Sequence, residues 1–182
     1  MKKCACLFII SFCFIVSARS QEEFGYKTID VGGEFQSYFR GYTAVLHLAY
    51  NFPIHHGIQF KAGYNKSNWK DAGLHDNEDG GGPVFSLGYR YYFLVRPHGF
   101  FLGVHADVSR LSIDWKKGIT TGTSKIWALQ PTFELGYMIL INDMFFITPS
   151  VGTGVQTNLK TEGEKVGDGS VFTTGISMGW KF

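Results

Sequence analysis

The stretch Ser170–Phe182, SVFTTGISMGWKF, alternates strictly. One side carries Phe172, Thr174, Ile176, Met178, Trp180 and Phe182; the other carries Val171, Thr173, Gly175, Ser177, Gly179 and Lys181. A period of two is the signature of a β-strand. Here the apolar row is continuous and aromatic-rich, and the opposite row is small and polar. A strand greasy on one side that ends on an exposed aromatic suits a barrel standing in lipid. A soluble sandwich would use similar residues, so the decision rests on whether the pattern recurs.

It recurs through the chain after a leader of different character. Lys2 and Lys3 precede an apolar run from Leu7 to Val16, and Ala18-Arg19-Ser20 offers small residues for cleavage. Residues 1–20 therefore read as a cleaved secretory signal peptide, too short for a spanning helix, with Gln21 the first mature residue. Cys4, Cys6 and Cys13 all lie in that leader, so the mature chain is expected to have neither a disulfide framework nor a thiolate metal site. The whole chain has 17 Lys and Arg against 15 Asp and Glu; losing Lys2, Lys3 and Arg19 leaves the acids one ahead. No basic stripe remains, which argues against a nucleic-acid partner. No later apolar run reaches the roughly 20 residues of a spanning helix. Aromatic residues at 16% together with 23 glycines point to all-β structure with crowded interior positions.

Residues 21–182 divide into eight alternating segments, beginning with residues 27–39, 42–52 and 58–65. The second is the cleanest, with Tyr42, Ala44, Leu46, Leu48, Tyr50 and Phe52 on one row. The fourth covers 84–95. The fifth starts at Phe100 and runs toward Trp115; the sixth starts at Trp127, the seventh at Phe145 and the eighth at Ser170. Short turns are expected after the second, fourth and sixth segments. Longer polar loops are expected at 66–83, 116–123 and 160–169, with only the first connection breaking the alternation. An even strand count with short turns at one end and long loops at the other is the layout of a transmembrane barrel, closed because no backbone edge may face hydrocarbon. Phe52, Phe93, Phe100, Phe145, Trp180 and Phe182 would form one aromatic girdle; Tyr42, Tyr64, Phe85, Trp115, Trp127 and Phe172 would form the other.

The leader, the eight strands and the terminal Phe182 resemble the small outer-membrane β-barrels of Gram-negative bacteria, of the OmpX and OmpA-transmembrane-domain type. The resemblance covers residues 21–182 and is one of architecture more than motif. It implies a bacterial outer-membrane location, surrounding outer-membrane lipid and a monomeric barrel. It also implies that Met178, Trp180 and Phe182 serve as the signal read by the barrel-assembly machinery, although Gly175 and Gly179 depart from the usual spacing. No periplasmic domain is expected after Phe182.

The inward row collects Asp30, Glu34, His47, Lys61, Arg90, His105, Asp107, Glu134 and Lys181. Side chains roughly fill an eight-stranded barrel and buried charges need partners, so these nine are expected to form a salt-bridged plug. Counting outward from the turns sets Arg90 opposite His105 with Asp107 diagonal to it, and His105 opposite Glu134, as one belt; Glu34, His47 and Lys61 form a second. His105, Asp107 and Ser109 share one strand, yet neighbours on a face stand about 6.5 Å apart, too far for a compact triad. The HDNEDG stretch at residues 75–80 has His75 at the first calcium-ligand position and Ser86 at the twelfth, so it reads as a solvated acidic loop. Adjacent His55 and His56 diverge on an extended backbone. No catalytic residue, metal or cofactor is expected. The expectation is a non-enzymatic surface barrel with a plugged polar interior, contacting an extracellular protein or surface partner through its outer loops. A narrow channel for a small solute and a lipid-A-modifying enzyme are the alternatives.

Overall fold

Alternation places one row of each strand outside and the next inside, and eight such strands close on themselves. In the computed structural model, which describes residues 27–70, 75–95, 97–166 and 169–182, they are β1 (Ile29–Tyr38), β2 (Gly41–Asn51), β3 (His56–Lys70), β4 (Asn77–Tyr92), β5 (Gly99–Lys117), β6 (Thr120–Ile141), β7 (Phe145–Glu162) and β8 (Gly169–Lys181). Each is antiparallel to its sequence neighbours, and β1 pairs with β8 to complete a closed barrel. Reciprocal bonds between Ile29 and Phe182, at 3.1 and 2.8 Å, seal that last seam. Residues 1–20 and the cleavage after Ser20 lie outside the described residues.

The outer rows carry exposed Leu46, Phe60, Leu87, Val104, Phe133 and Ile176, an apolar belt that water would not tolerate and lipid requires. Three outward-facing prolines, Pro83, Pro131 and Pro149, stand within strands. Pro83 falls at the gap in the β4–β5 pairing between Gly81 and Val84, and Pro131 at the β6–β7 gap between Leu129 and Thr132. Pro149 lies at a second β6–β7 gap, between Gly136 and Ile139. A residue without an N–H is tolerated where the ladder is already interrupted. At the end that carries the short turns, Asn142 and Asp143 both take φ of 52° and Met144 N donates to Ile141 O at 3.2 Å. That is a two-residue turn of the twist a hairpin favours.

The expected long loops contract. Residues 66–83 are mostly strand, because β3 continues to Lys70 and β4 starts at Asn77. Likewise β5 and β6 meet at a Gly118-Ile119 turn with Lys117 opposite Thr120, and β7 runs to Glu162. Strands of 19, 22 and 18 residues far exceed the roughly 9–11 needed to cross a membrane. The apolar row that marks a strand in sequence disappears once the strand leaves lipid, so a polar, glycine-rich segment gives no period to read. Gly80 and Gly82 illustrate the packing: a Cβ there would lie 2.1 Å from Ser112 O and 1.9 Å from Arg110 O.

The inner charge network and the external sheet

Inside the barrel the side chains fall into three levels. At the short-turn end, Tyr92, Phe101, Met138 and Phe146 are buried together. Phe101 lies over the bare face of its paired residue Gly136, where a Cβ would come within 2.3 Å of its ring. Phe146 and Met138 had no place in the inward row read from sequence, because the chain around each is apolar on both sides.

Above that layer lies the charge network. Arg90 is 2% exposed; its Cζ stands 4.3 Å from the Phe101 ring centroid, and Nη2 reaches the two Glu134 carboxylate oxygens at 3.2 and 3.3 Å. The Gln59 amide oxygen, turned to the guanidinium, accepts from Nη1 at 2.6 Å and Nε at 2.8 Å. Glu34 Oε2 is 4.0 Å from Nη2, and Glu34 Oε1 accepts from Lys61 Nζ at 2.8 Å and from the Gln36 amide. His47 sits directly opposite Lys61 and packs on Phe146 at 5.6 Å. Nearer the β1–β8 seam, Lys181 donates to its cross-strand partner Asp30 at 2.7 Å. His105 Nε2 stands 3.5 Å from Asp107 Oδ2, two residues along the same strand.

The belts read from sequence need correction in partner though not in face. Arg90 lies opposite Gly103, not His105, and Glu134 also lies opposite Gly103. His105 faces Gly88 and Thr132, and Asp107 faces Ser86 and Gln130. Each turn is centred one residue earlier than assumed: Phe93 N bonds to Phe100 O, and the β5–β6 turn is Gly118-Ile119. That moves the register by two and leaves every side chain on its original face. Glu34 is opposite Val45, one diagonal step from His47. The two belts also merge, since Arg90 touches acids of both. Gly103 makes the merger possible: a Cβ there would lie 3.2 Å from Glu134 Oε2 and 3.4 Å from Arg90 Cγ.

The third level lies within the strand extensions. Leu111, Ile113, Trp115, Ile126, Ala128 and Val166 form a buried cluster. Trp115 therefore points inward, its Nε1 donating to Ser124 Oγ at 3.1 Å, and does not belong to the lipid-side girdle. His75 stacks on it with ring centroids 4.7 Å apart. His75 Nδ1 is 2.7 Å from Glu78 Oε1, and Nε2 is 3.1 Å from Glu164 Oε2. Burial disfavours the imidazolium, but the hydrogen bonds to Glu78 and Glu164 outweigh it and raise the His75 pKa above its usual value. The solvated acidic loop is thus corrected: His75 and Glu78 are 3% and 2% exposed, Asp76 accepts from Gly118 N at 2.7 Å and Asp79 pairs with Lys66 at 2.7 Å. The aromatic face of Trp115, invisible to a local reading, covers His75, and Glu78 lies directly opposite it, while Asp76 and Asp79 stay open to solvent. Among the described residues no cluster of three His, Cys, Asp or Glu is arranged for a metal.

The fold is that of the small eight-stranded outer-membrane barrels. The N-terminal β-barrel domain of Pseudomonas aeruginosa OprF is similar over 86% of this chain and 98% of its own, with 17% identity and a TM-score of 0.52. Ail, the attachment invasion locus protein of Yersinia pestis, is similar over 85% and 97%, with 13% identity and a TM-score of 0.50. Its complex with the heparin analogue sucrose octasulfate gives 13% and 0.51 over the same shares. No family model and no curated protein matches the sequence. An outer-membrane barrel thus emerges from the outward apolar belt and the closed eight-strand sheet together, and sequence identity this low carries the architecture alone.

Proposed function

We propose that this protein is a non-catalytic outer-membrane barrel whose lumen is plugged and whose work is done by the external sheet of β3 to β7. The observation that carries this reading is the excess length of those strands. β5 and β6 rise well beyond the bilayer as paired strands, and their inner face is packed by a cluster of its own. Ordering that much backbone outside the membrane costs conformational entropy, which a surface for a partner would justify and a bare membrane anchor would not. The sucrose octasulfate complex of Ail supports an extracellular ligand or surface as the class of partner. The plug rests on Arg90, Tyr92, Phe101 and Phe146, all essentially inaccessible to solvent, stacked as a charged layer on an aromatic one.

The test is single-channel recording in planar bilayers, paired with a binding assay on the same preparation. The folded barrel should give no steady porin-sized conductance. Shortening β5–β6 by removing residues 113–124 should abolish attachment to the partner surface while leaving the barrel resistant to detergent. Stable open-channel current would overturn the plug and favour a solute conduit. A change in lipid-A mass on expression of the protein would overturn the non-catalytic reading.

A further inference from the structure

On the outer face of β4, β5 and β6, above the lipid belt, six polar side chains form two rows of cross-strand neighbours. Asn77, Lys116 and Thr121 make the row nearer the β5–β6 tip; Asp79, Asp114 and Thr123 make the row below it. Rows two residues apart on a strand are separated by about 6.5 Å. These six residues line a depression of about 330 Å³. Its floor is bare backbone, because the Trp115–Gly122 pair between the rows faces inward; a Cβ on Gly122 would lie 2.4 Å from Trp115 Cζ2. Asp114 and Lys116 stand four and six residues beyond Arg110, roughly 13–20 Å along the strand, while Trp127 opposite Arg110 belongs to the exposed upper girdle.

Asp79 and Asp114 are directly opposed, and like charges in that position repel. Lys66 Nζ lies 2.7 Å from Asp79 Oδ1, and Thr123 Oγ1 donates to Asp114 Oδ1 at 2.6 Å. Each carboxylate therefore keeps Oδ2 for a further donor. Two acids against Lys66 and Lys116 leave the depression without net charge. The cations nearer the membrane have neighbours of their own: Lys125 stands opposite Glu162, which accepts from Lys160, and Arg110 lies over the Trp127 ring.

That balance selects the ligand. A metal ion would meet Lys66 and Lys116 as well as the acids, and a sulfate or phosphate would meet two carboxylates. A neutral ligand rich in hydroxyls meets neither obstacle. It can donate to both carboxylates and to the Asn77 amide oxygen, and accept from Lys116 and Thr121.

We infer that this array is a subsite for a neutral hexose of a glycan on an opposing surface. The sugar lies over the Trp115–Gly122 backbone, its hydroxyls donating to Asp79 and Asp114 and accepting from Lys116. The inference rests on the external sheet being the working surface and names the chemistry that the sheet recognises. Side chains fixed on strands hold such a pattern better than a loop would. An opposing surface is the source because the array adjoins the Gly118-Ile119 tip, at the end of the sheet far from the headgroups.

The test is saturation-transfer difference NMR on the folded barrel in lauryldimethylamine oxide, a detergent with no sugar head. The probes are the methyl glycosides of glucose, galactose, mannose and N-acetylglucosamine. Wild type should transfer saturation to at least one of them. Asp114→Ala should raise its dissociation constant roughly ten-fold, the scale of one charge-assisted contact. Lys160→Gln with Glu162→Gln, outside the array, should leave it unchanged. The heat-dependent gel shift checks that each variant is folded; Asn77→Ala and Thr121→Val, on other strands, weaken binding in the same direction if Asp114→Ala does not fold. Absence of transfer to all four glycosides overturns the site. So does binding that survives Asp114→Ala, Asn77→Ala and Thr121→Val, or that falls equally in the outside control. Transfer lost on adding EDTA would overturn it in favour of a metal site, and tighter binding of glucose 6-sulfate in favour of an anionic ligand. A preference for the core oligosaccharide of the cell's own lipopolysaccharide would overturn the opposing surface as source. If removing residues 113–124 abolishes attachment while wild type shows no transfer, the hexose falls and the role of the sheet stands. If that deletion leaves attachment intact, the role of the sheet falls instead.

Discussion

Gly103 is the residue on which the inner network turns. It stands between Arg90 and Glu134, and its missing side chain lets the two charges meet across a whole strand at 3.2 Å. Gly103→Val should force both apart and overpack the layer, costing about 1–3 kcal/mol in urea titrations of the barrel folded into lipid vesicles. Arg90→Met goes further, because it strands Glu134, leaves Glu34 with Lys61 as its one cation among those named and deprives Gln59 of its donor. Removing one partner of a buried pair costs about 3–5 kcal/mol. Arg90→Met made together with Glu34→Gln and Glu134→Gln should lose less than Arg90→Met alone, and an equal or larger loss would show that the charges do not act as one network. The faces of all these residues could be read from sequence, since an alternating row survives a register error of two. Their partners could not, since pairing depends on where each turn is centred, and Gly103 reads in sequence only as a gap in the row.

The strand extensions are the element least visible in the sequence and the one most exposed to solution conditions. In lipid, β5 advertises itself through Phe100, Leu102, Val104, Ala106 and Val108; above them the outward row turns to Arg110, Ser112 and Asp114 and the period fades. What replaces it is long-range: Trp115, Ile126 and Val166 gather from three parts of the chain, and His75 ties the β3–β4 connection to Glu164 beyond β7. That tie depends on pH. Because the His75 pKa is raised on folding, its contribution is complete below the unfolded value near 6.5 and is lost as pH rises through the folded pKa. Hydrogen exchange at residues 164–166, corrected for intrinsic rates, should therefore show greater protection at pH 6 than at pH 9. His75→Gln should flatten the difference. Glu164 is more than half exposed, so salt should weaken the effect through screening. Protection that is independent of pH in the wild type, or a His75→Gln variant with an unchanged profile, would rule out the latch.

At the scale of the molecule, closure is the step that the terminal strand announces. The alternation of Ser170–Phe182 predicts an outward apolar row, and the structure places Phe172, Ile176, Met178, Trp180 and Phe182 there, exposed. Alternation puts Lys181 on the inward row but does not name its partner. It reaches inward to Asp30 on β1, so the last two residues serve opposite faces of one seam. This separates two kinds of damage. Phe182 pairs through its backbone with Ile29 while its ring looks into lipid, where an assembly machinery reading Met178, Trp180 and Phe182 would meet it. Deleting Phe182 should therefore slow insertion in cells severely, yet leave a barrel refolded in detergent only mildly less stable. Lys181→Met keeps the outward row intact and leaves the buried Asp30 carboxylate unpaired. It should insert at a normal rate and then unfold more easily, by about 3–5 kcal/mol. Pulse-labelled assembly in cells, read by the heat-dependent gel shift, gives the first quantity, and urea unfolding of the purified barrel gives the second. If both variants fail in the same assay and pass in the other, the two faces of the seam are not separable, and the terminal aromatic is a structural closure rather than a recognition signal.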